Sequence, residues 1–214
     1  MAFPVPTPIY RIIHISNLET LLAREGLHAA NFVPPDGLVY RAIHDASVQE
    51  ARSLITLSVG PEGGLLDYVP FYFGTRSPML FKLKTNRVSN YLEGQDPIIY
   101  LVSSVQAVLQ SGIPFVFSDG HDLASLTEWY DDPADLEQVD WGMVNARYWA
   151  DTTEDMDRQR RKQAELLIHR FCPWSLIQQI AVRDRNIKDQ VDGIMDQKEP
   201  RVKREVTIQP YWYY

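Results

Sequence analysis

Cysteine is nearly missing from this chain of 214 residues; Cys172 is the only one. A single thiol excludes an internal disulfide, and a reducing compartment, the cytoplasm, is the default expectation. Histidine is sparse and scattered, at positions 14, 28, 44, 121 and 169. No Cys/His cluster therefore has the spacing of a zinc site, and no metal is expected. Long apolar runs are missing, the longest falling far short of a membrane span. The opening residues MAFPVPTPIYRIIHI place prolines where a signal peptide needs a helical apolar core, and they lack a basic leader. Neither secretion nor a membrane anchor is expected. Excess positive charge is missing as well: the formal net charge is −7. A protein that coats nucleic acid is usually basic, so stable non-specific DNA binding is disfavoured, whereas transient contact through a local basic patch is not.

What is present is an ordinary globular composition, 45% hydrophobic and 23% charged, enough for one domain with a sizeable core. The charge is uneven. Acidic residues dominate 119–157, and basic residues dominate 76–87, 158–170 and 201–204. Residues 9–15 are β-branched and alternate, which predicts a first strand. Ser16 or Asn17 then caps a short helix, Leu18 to Glu25, stopped by Gly26. A helix start directly after His14 offers backbone N–H groups to an anion or a ribose. Residues 28–51 show no period, apart from a turn at Pro34–Gly37 and a helical trace at Val48–Ala51. A long irregular segment in a compact domain tends to be a lid or a binding loop.

Further strands are expected at Leu65–Phe73, with Pro70 marking an edge or a bulge, at Ile98–Ser103, Ile113–Phe117, Ile180–Val182 and Glu205–Tyr213. Met79–Phe81 reads as strand or turn. Ser104 caps a helix over Val105–Gln110, closed by Gly112, and Asn186–Met195 reads as an amphipathic helix. Between them lies an acidic, Trp-rich excursion, 122–157. The economical reading is one α+β domain with mixed strands.

The stretch Arg158–Pro173, RQRRKQAELLIHRFCP, carries the most chemistry. Four basic residues lead to Glu165, and an apolar run bounded by Pro173 follows, which suits a buried strand. A carboxylate where a basic loop meets a core strand is placed to work on an anionic ligand. The alternative is a solvated charge beside an exposed basic turn.

Several segments together resemble the DarT family of DNA ADP-ribosyltransferase toxins, the toxin half of DarTG toxin–antitoxin systems. They are His14-Ile15-Ser16-Asn17, Gly26-Leu27-His28, DYVPFYF at 67–73, Ser77-Pro78-Met79-Leu80, PFVFSDGH at 114–121, and RKQAELL at 161–167 continued by Cys172-Pro173. The resemblance runs from about residue 9 to 214. It implies that the chain, 1–214, is one domain of the ADP-ribosyltransferase fold: a split mixed β core with short helices and an NAD cleft. It also implies transfer of ADP-ribose from NAD to a base in single-stranded DNA, thymidine rather than guanosine. The implied partners are single-stranded DNA and a macrodomain antitoxin of the DarG type. A cytoplasmic monomer is expected.

Breaking the nicotinamide–ribose bond builds positive charge on the ribose, and a carboxylate facing that charge stabilises it. Glu165 matches the family's catalytic glutamate. Arg52 matches its arginine, which either grips the NAD diphosphate or sits beside the acceptor base and assists proton removal. The second role is implied by the family only. His14, Ile15, Ser16 and Asn31 match NAD contacts. His121, with Arg158 and Arg161, falls where the acceptor or DNA is expected, and Arg76, Lys82, Lys84 and Arg87 add further local positive charge. Tyr72 and its neighbours Phe71 and Phe73 read mostly as core. Competing readings are guanosine as acceptor, an RNA-acting enzyme of the same fold, an NAD glycohydrolase, and a non-catalytic nucleotide-binding domain.

Overall fold

A computed structural model describes residues 3–44 and 46–214; Asp45, within the irregular segment 28–51, lies outside the described residues. The expected first strand is β1, Pro8–His14, and its alternation buries both faces. Ile9 and Ile13 enter the main core cluster, while Ile12 joins a second one. Next come α1 (Leu18–Ala23) and the short strand β2 (Gly26–His28). Helix α2 spans Ala46–Ser53, longer than its sequence trace, and the small pair β3 (Thr56–Leu57) and β4 (Gly63–Gly64) leads to β5, Tyr68–Tyr72. Then follow α3 (Pro78–Lys84), β6 (Ile98–Ser104), α4 (Val105–Ser111), β7 (Phe115–Ser118) and β8 (Trp129–Tyr130).

The acidic excursion holds α5 (Trp141–Val144) and leads into α6 (Arg158–Arg161). The chain ends with β9 (Glu165–His169), β10 (Phe171–Pro173), β11 (Gln179–Val182), α7 (Arg185–Asp196) and β12 (Glu205–Ile208). Helix α7 buries Ile187, Val191 and Met195, four residues apart on one face.

Eight strands form one sheet, in the order β12-β11-β6-β1-β5-β9-β7-β8. Strands β11 and β12 run parallel and the other pairs antiparallel, so the sheet is mixed. The sheet is nearly two. β1 pairs with β6 along its whole length but meets β5 at one register position, Tyr10 opposite Tyr72. Where β1 and β5 part, a cleft opens. Pro70 faces that gap: its carbonyl accepts from Arg11 Nη1 at 2.8 Å. In a strand, N and C=O of one residue point the same way, so the missing N–H falls where no ladder bond is made. The edge signal of Pro70 thus marks an internal split.

Four expectations are corrected. Met79–Phe81 is helical, because Ser77 Oγ accepts from Leu80 N–H at 3.2 Å and Pro78 sits in the first turn. Leu65–Asp67 is a 3-10 turn rather than the start of the strand. The last strand ends at Ile208, and a 3-10 turn over Pro210–Trp212 replaces its continuation, since Pro210 has no N–H for a ladder. Neither Ser16 nor Asn17 caps α1 with its side chain. A 3-10 turn, Ile15–Asn17, intervenes, and His14 caps that turn by accepting from Ser16 N–H at 3.1 Å.

Candidate active site

Glu165 opens β9, between Ala164 and three fully buried aliphatic residues. Its cross-strand partner on β5 is Tyr72. Its backbone N–H reaches Ser118 Oγ at 3.4 Å, tying it to the end of β7. Arg52 is the buried residue of the otherwise polar helix α2. Its Nη1 stands 3.5 Å from Glu165 Oε1 and also donates to Asp122 Oδ2. Asp122 is itself buried, and its Oδ1 lies 3.0 Å from Nδ1 of the half-exposed His121. Two carboxyl groups and one guanidinium, from three distant stretches, are thus buried together.

The electrostatics follow. Burial holds the Glu165 carboxyl well above the usual carboxylate range, the charge of Asp122 adds to this, and Arg52 opposes it. Burial also works against ionisation of Asp122, but His121 and Arg52 outweigh it, so Asp122 is the carboxyl that ionises first. Arg52 is penalised by burial, yet Glu165 and Asp122 more than compensate and keep it protonated. Burial, aided by Glu165 and Asp122, pushes the Tyr72 hydroxyl up, so it stays protonated.

The turn carrying Asp122 is held by the basic helix. His121 N–H donates to Arg160 O at 2.9 Å, and Arg160 Nη1 donates to Asp119 Oδ1 at 2.8 Å. Arg160 lies so close over the turn that a Cβ on Gly120 would come within 2.5 Å of its Nη1. Arg161 pairs with Asp140, Asp155 and Asp157. Arg158 donates to the carbonyls of Tyr148 and Ala150 at 2.6 and 3.0 Å. Lys162 Nζ, buried, donates to Val144 O at 2.6 Å and Ala146 O at 2.9 Å. The run read as free positive charge is spent on its own acidic excursion, and Arg158 and Arg161 have internal partners rather than open heads.

The cleft between β1 and β5 leads to this cluster. Arg11, Ile12, Tyr40, Ile43, His44 and Arg52 line its wide part. A continuation past Tyr72 and Met79 ends on Glu165, and a mouth beyond it is lined by Lys82, His121 and Asp122. Arg11 and Asp122 escaped the sequence reading. The buried Nε of Arg11, a residue lining the split, has no hydrogen-bond partner among the described residues.

The remaining expected contacts sit apart from the glutamate. His14 is buried beside Glu93 and Arg41, and burial together with Arg41 holds it neutral, down at about 4. Nδ1 accepts from Ser16 N–H at 3.1 Å, and Nε2 lies 3.4 Å from Glu93 Oε2 and 3.3 Å from Arg41 Nη1. Ile15 packs in the core and its N–H donates to Pro97 O at 2.9 Å, so the free N–H groups expected after His14 are taken. Asn31 donates to Asp67 Oδ1 at 2.8 Å, on the rim.

A split mixed sheet parting over a cleft, and a buried carboxylate able to face a ribose at its end, are what an ADP-ribosyltransferase requires; the chain is of that class. Residues 10–214 match the model of a family described as ssDNA thymidine ADP-ribosyltransferase, DarT, and the chain belongs to that family. A DNA ADP-ribosyl transferase of Thermus sp. (strain 2.9) is 42% identical over 212 residues, covering 99% of this chain and 98% of the relative. One from Escherichia coli O127:H6 is 31% identical over 212 residues, covering 99% and 95%. The structure of Thermus sp. 2.9 DarT in complex with ADP-ribosylated ssDNA superimposes with a TM-score of 0.92 at 41% identity, covering 100% of this chain and 99% of the other. The same protein in complex with NAD+ gives 0.87 at 39% identity, covering 100% of each chain. The chain is thus an NAD-dependent DNA ADP-ribosyltransferase, with NAD as co-substrate. No helix among the described residues is long and apolar enough to cross a membrane.

Proposed function

We propose that NAD lies along the β1–β5 cleft with its reacting ribose at Glu165, and that thymidine enters from the mouth lined by Lys82, His121 and Asp122. The observation that carries this reading is the burial of Glu165 against Arg52 where the cleft ends. The bond between ribose C1′ and the nicotinamide nitrogen breaks, and the electron pair leaves with neutral nicotinamide. Positive charge grows on the ribose as it breaks, and ionised Glu165 stabilises it. Thymine N3 bonds to C1′ from the other side and gives up its proton.

Arg52 is an unsuitable acceptor for that proton, since two carboxylates keep it charged. Its role is to hold Glu165 and Asp122 together and to present positive charge to the NAD diphosphate or the thymine carbonyls. His121 stands at the same mouth, its Nδ1 3.0 Å from Asp122 Oδ1 and accepting from Leu123 N–H at 3.0 Å, so its Nε2 is placed to donate to a thymine carbonyl, and the N3 proton leaves to solvent through the mouth. Arg11, its Nε unsatisfied in the cleft, joins the NAD site. His14, Ile15, Ser16 and Asn31 reach NAD only as the surrounding loop adjusts. The whole chain acts as one catalytic domain, a cytoplasmic monomer, and a macrodomain partner of the DarG type reverses the modification, as the family resemblance implies.

The test is a gel-shift assay. Short single-stranded oligonucleotides with and without thymine are incubated with NAD and protein, beside Glu165→Ala. A shift of one ADP-ribose confined to thymine-containing DNA, and absent with Glu165→Ala, is expected. A shift that follows guanine, or NAD consumed with no DNA shift, overturns the acceptor.

A further inference from the structure

Helix α1 has two faces. Leu18, Leu21 and Leu22 are buried in the core. Asn17, Thr20 and Arg24 recur at the spacing that puts residues on one side of a helix, and each is bonded to the loop that follows. Asn17 is almost wholly buried, and its amide grips both backbone groups of Arg41. Nδ2 donates to Arg41 O at 2.9 Å, and Oδ1 accepts from Arg41 N–H at 2.7 Å. Thr20 Oγ1 donates to Val39 O at 3.0 Å. Arg24 donates to both oxygens of Asp36, at 2.8 and 2.7 Å, and to Leu38 O at 2.8 Å. Asp36 Oδ1 in turn accepts from Leu38 N–H at 2.9 Å. Loop 36–41 belongs to no strand, and its backbone groups need partners. The polar side of α1 supplies them in the way a neighbouring strand would.

Tyr40, within this loop, and Ile43 and His44, just beyond it, form one wall of the cleft. We infer that Asn17, Thr20 and Asp36 with Arg24 are positioning residues for NAD: a side-chain staple that holds the cofactor-covering loop in its binding shape before NAD arrives. This rests on the placement of NAD in the β1–β5 cleft. A loop already ordered spares NAD part of the ordering cost on binding. Loosening it weakens NAD affinity and leaves the bond-breaking step alone, because none of the three anchors reaches Glu165.

The experiment measures KM for NAD and kcat at saturating thymine oligonucleotide, with the Kd for NAD by calorimetry on the same proteins. Removing the Thr20 hydroxyl forfeits one hydrogen bond of about 1 kcal/mol and removing the Asn17 amide forfeits two, so KM and Kd rise up to about fivefold for Thr20→Val and up to about thirtyfold for Asn17→Ala, with kcat within about twofold. Asp36→Ala behaves like Thr20→Val, and Thr20→Ser, which keeps the hydroxyl, restores wild-type values. Hydrogen exchange at Leu38 and Arg41 quickens in step. If Asn17→Ala does not fold, Thr20→Val and the exposed Asp36→Ala carry the test. Unchanged KM and Kd with a lowered melting temperature overturn the staple, and so does a Thr20→Ser variant as weak as Thr20→Val. If the wild type binds NAD but modifies no DNA, the acceptor reading fails while the Kd series still decides the staple.

Discussion

Arg52 Nη1 stands 3.5 Å from Glu165 Oε1 although 113 residues separate them, and the same nitrogen donates to Asp122. One cation therefore balances two buried carboxyl groups, and the charge of Asp122 works against ionisation of Glu165. Three of the predictions that follow turn on this arrangement.

Glu165→Gln removes the charge that faces the ribose and keeps the volume. Transfer to DNA falls on the order of 100-fold or more, with NAD binding retained. The fold survives, because a carboxyl held above its ordinary range favours folding only while protonated. Its contribution is fully present below the unfolded value near 4.5 and is lost as pH rises through the elevated folded value. The variant therefore gains stability relative to wild type as pH climbs from about 5 into the alkaline range. Melting curves over that range check the sign.

The pH profile of kcat/KM has an acid limb set by ionisation of Glu165. Removing the neighbouring charge with Asp122→Asn lets Glu165 ionise at lower pH, so the limb moves toward acid. A limb that stays in place means that another group controls it.

Arg52→Met leaves Asp122 and Glu165 buried without a counter-ion and costs about 3 kcal/mol of stability. Adding Asp122→Asn to it recovers part of that loss, a non-additivity read by urea unfolding of the single and double variants.

Lys162 is buried with two carbonyl partners, and burial lowers it from the ordinary 10.5 to about 8. Between those values the unfolded chain binds a proton that the folded chain does not. Wild-type stability should therefore rise with pH across about 8 to 10.5, relative to Lys162→Met, which lacks the titrating group.

Arg161 and Lys82 separate internal pairing from DNA contact. Arg161→Ala frees Asp140, Asp155 and Asp157 and lowers the melting temperature, while the salt dependence of DNA binding stays as in wild type. Lys82, exposed at the mouth, has a free charge to offer, and Lys82→Ala reduces the slope of log K against log salt by about 1.

Local signals carried much of the fold. Alternation found β1, continuous apolar runs found β6 and β9, Ser104 and Gly112 bracketed α4, and Pro70 marked the gap in the sheet. Ser77-Pro78 marked α3 equally well, and the short apolar triplet after it was misread. Glu165 stood out through its motif context, since its spacing alone fitted a solvated charge. The acidic tract 119–157 and the basic run 158–162 were both visible in sequence, but their mutual neutralisation was not: Arg161 meets Asp140 across 21 residues and Arg160 meets Asp119 across 41. Asp122 was invisible as a site residue because its partner, Arg52, is 70 residues away and no local pattern links them. Sequence by itself determined the elements, since propensity, capping and alternation act between near neighbours. Only the tertiary structure decided which charges are free and which are buried in balance. That choice depends on desolvation and on distances between residues that the chain order keeps far apart.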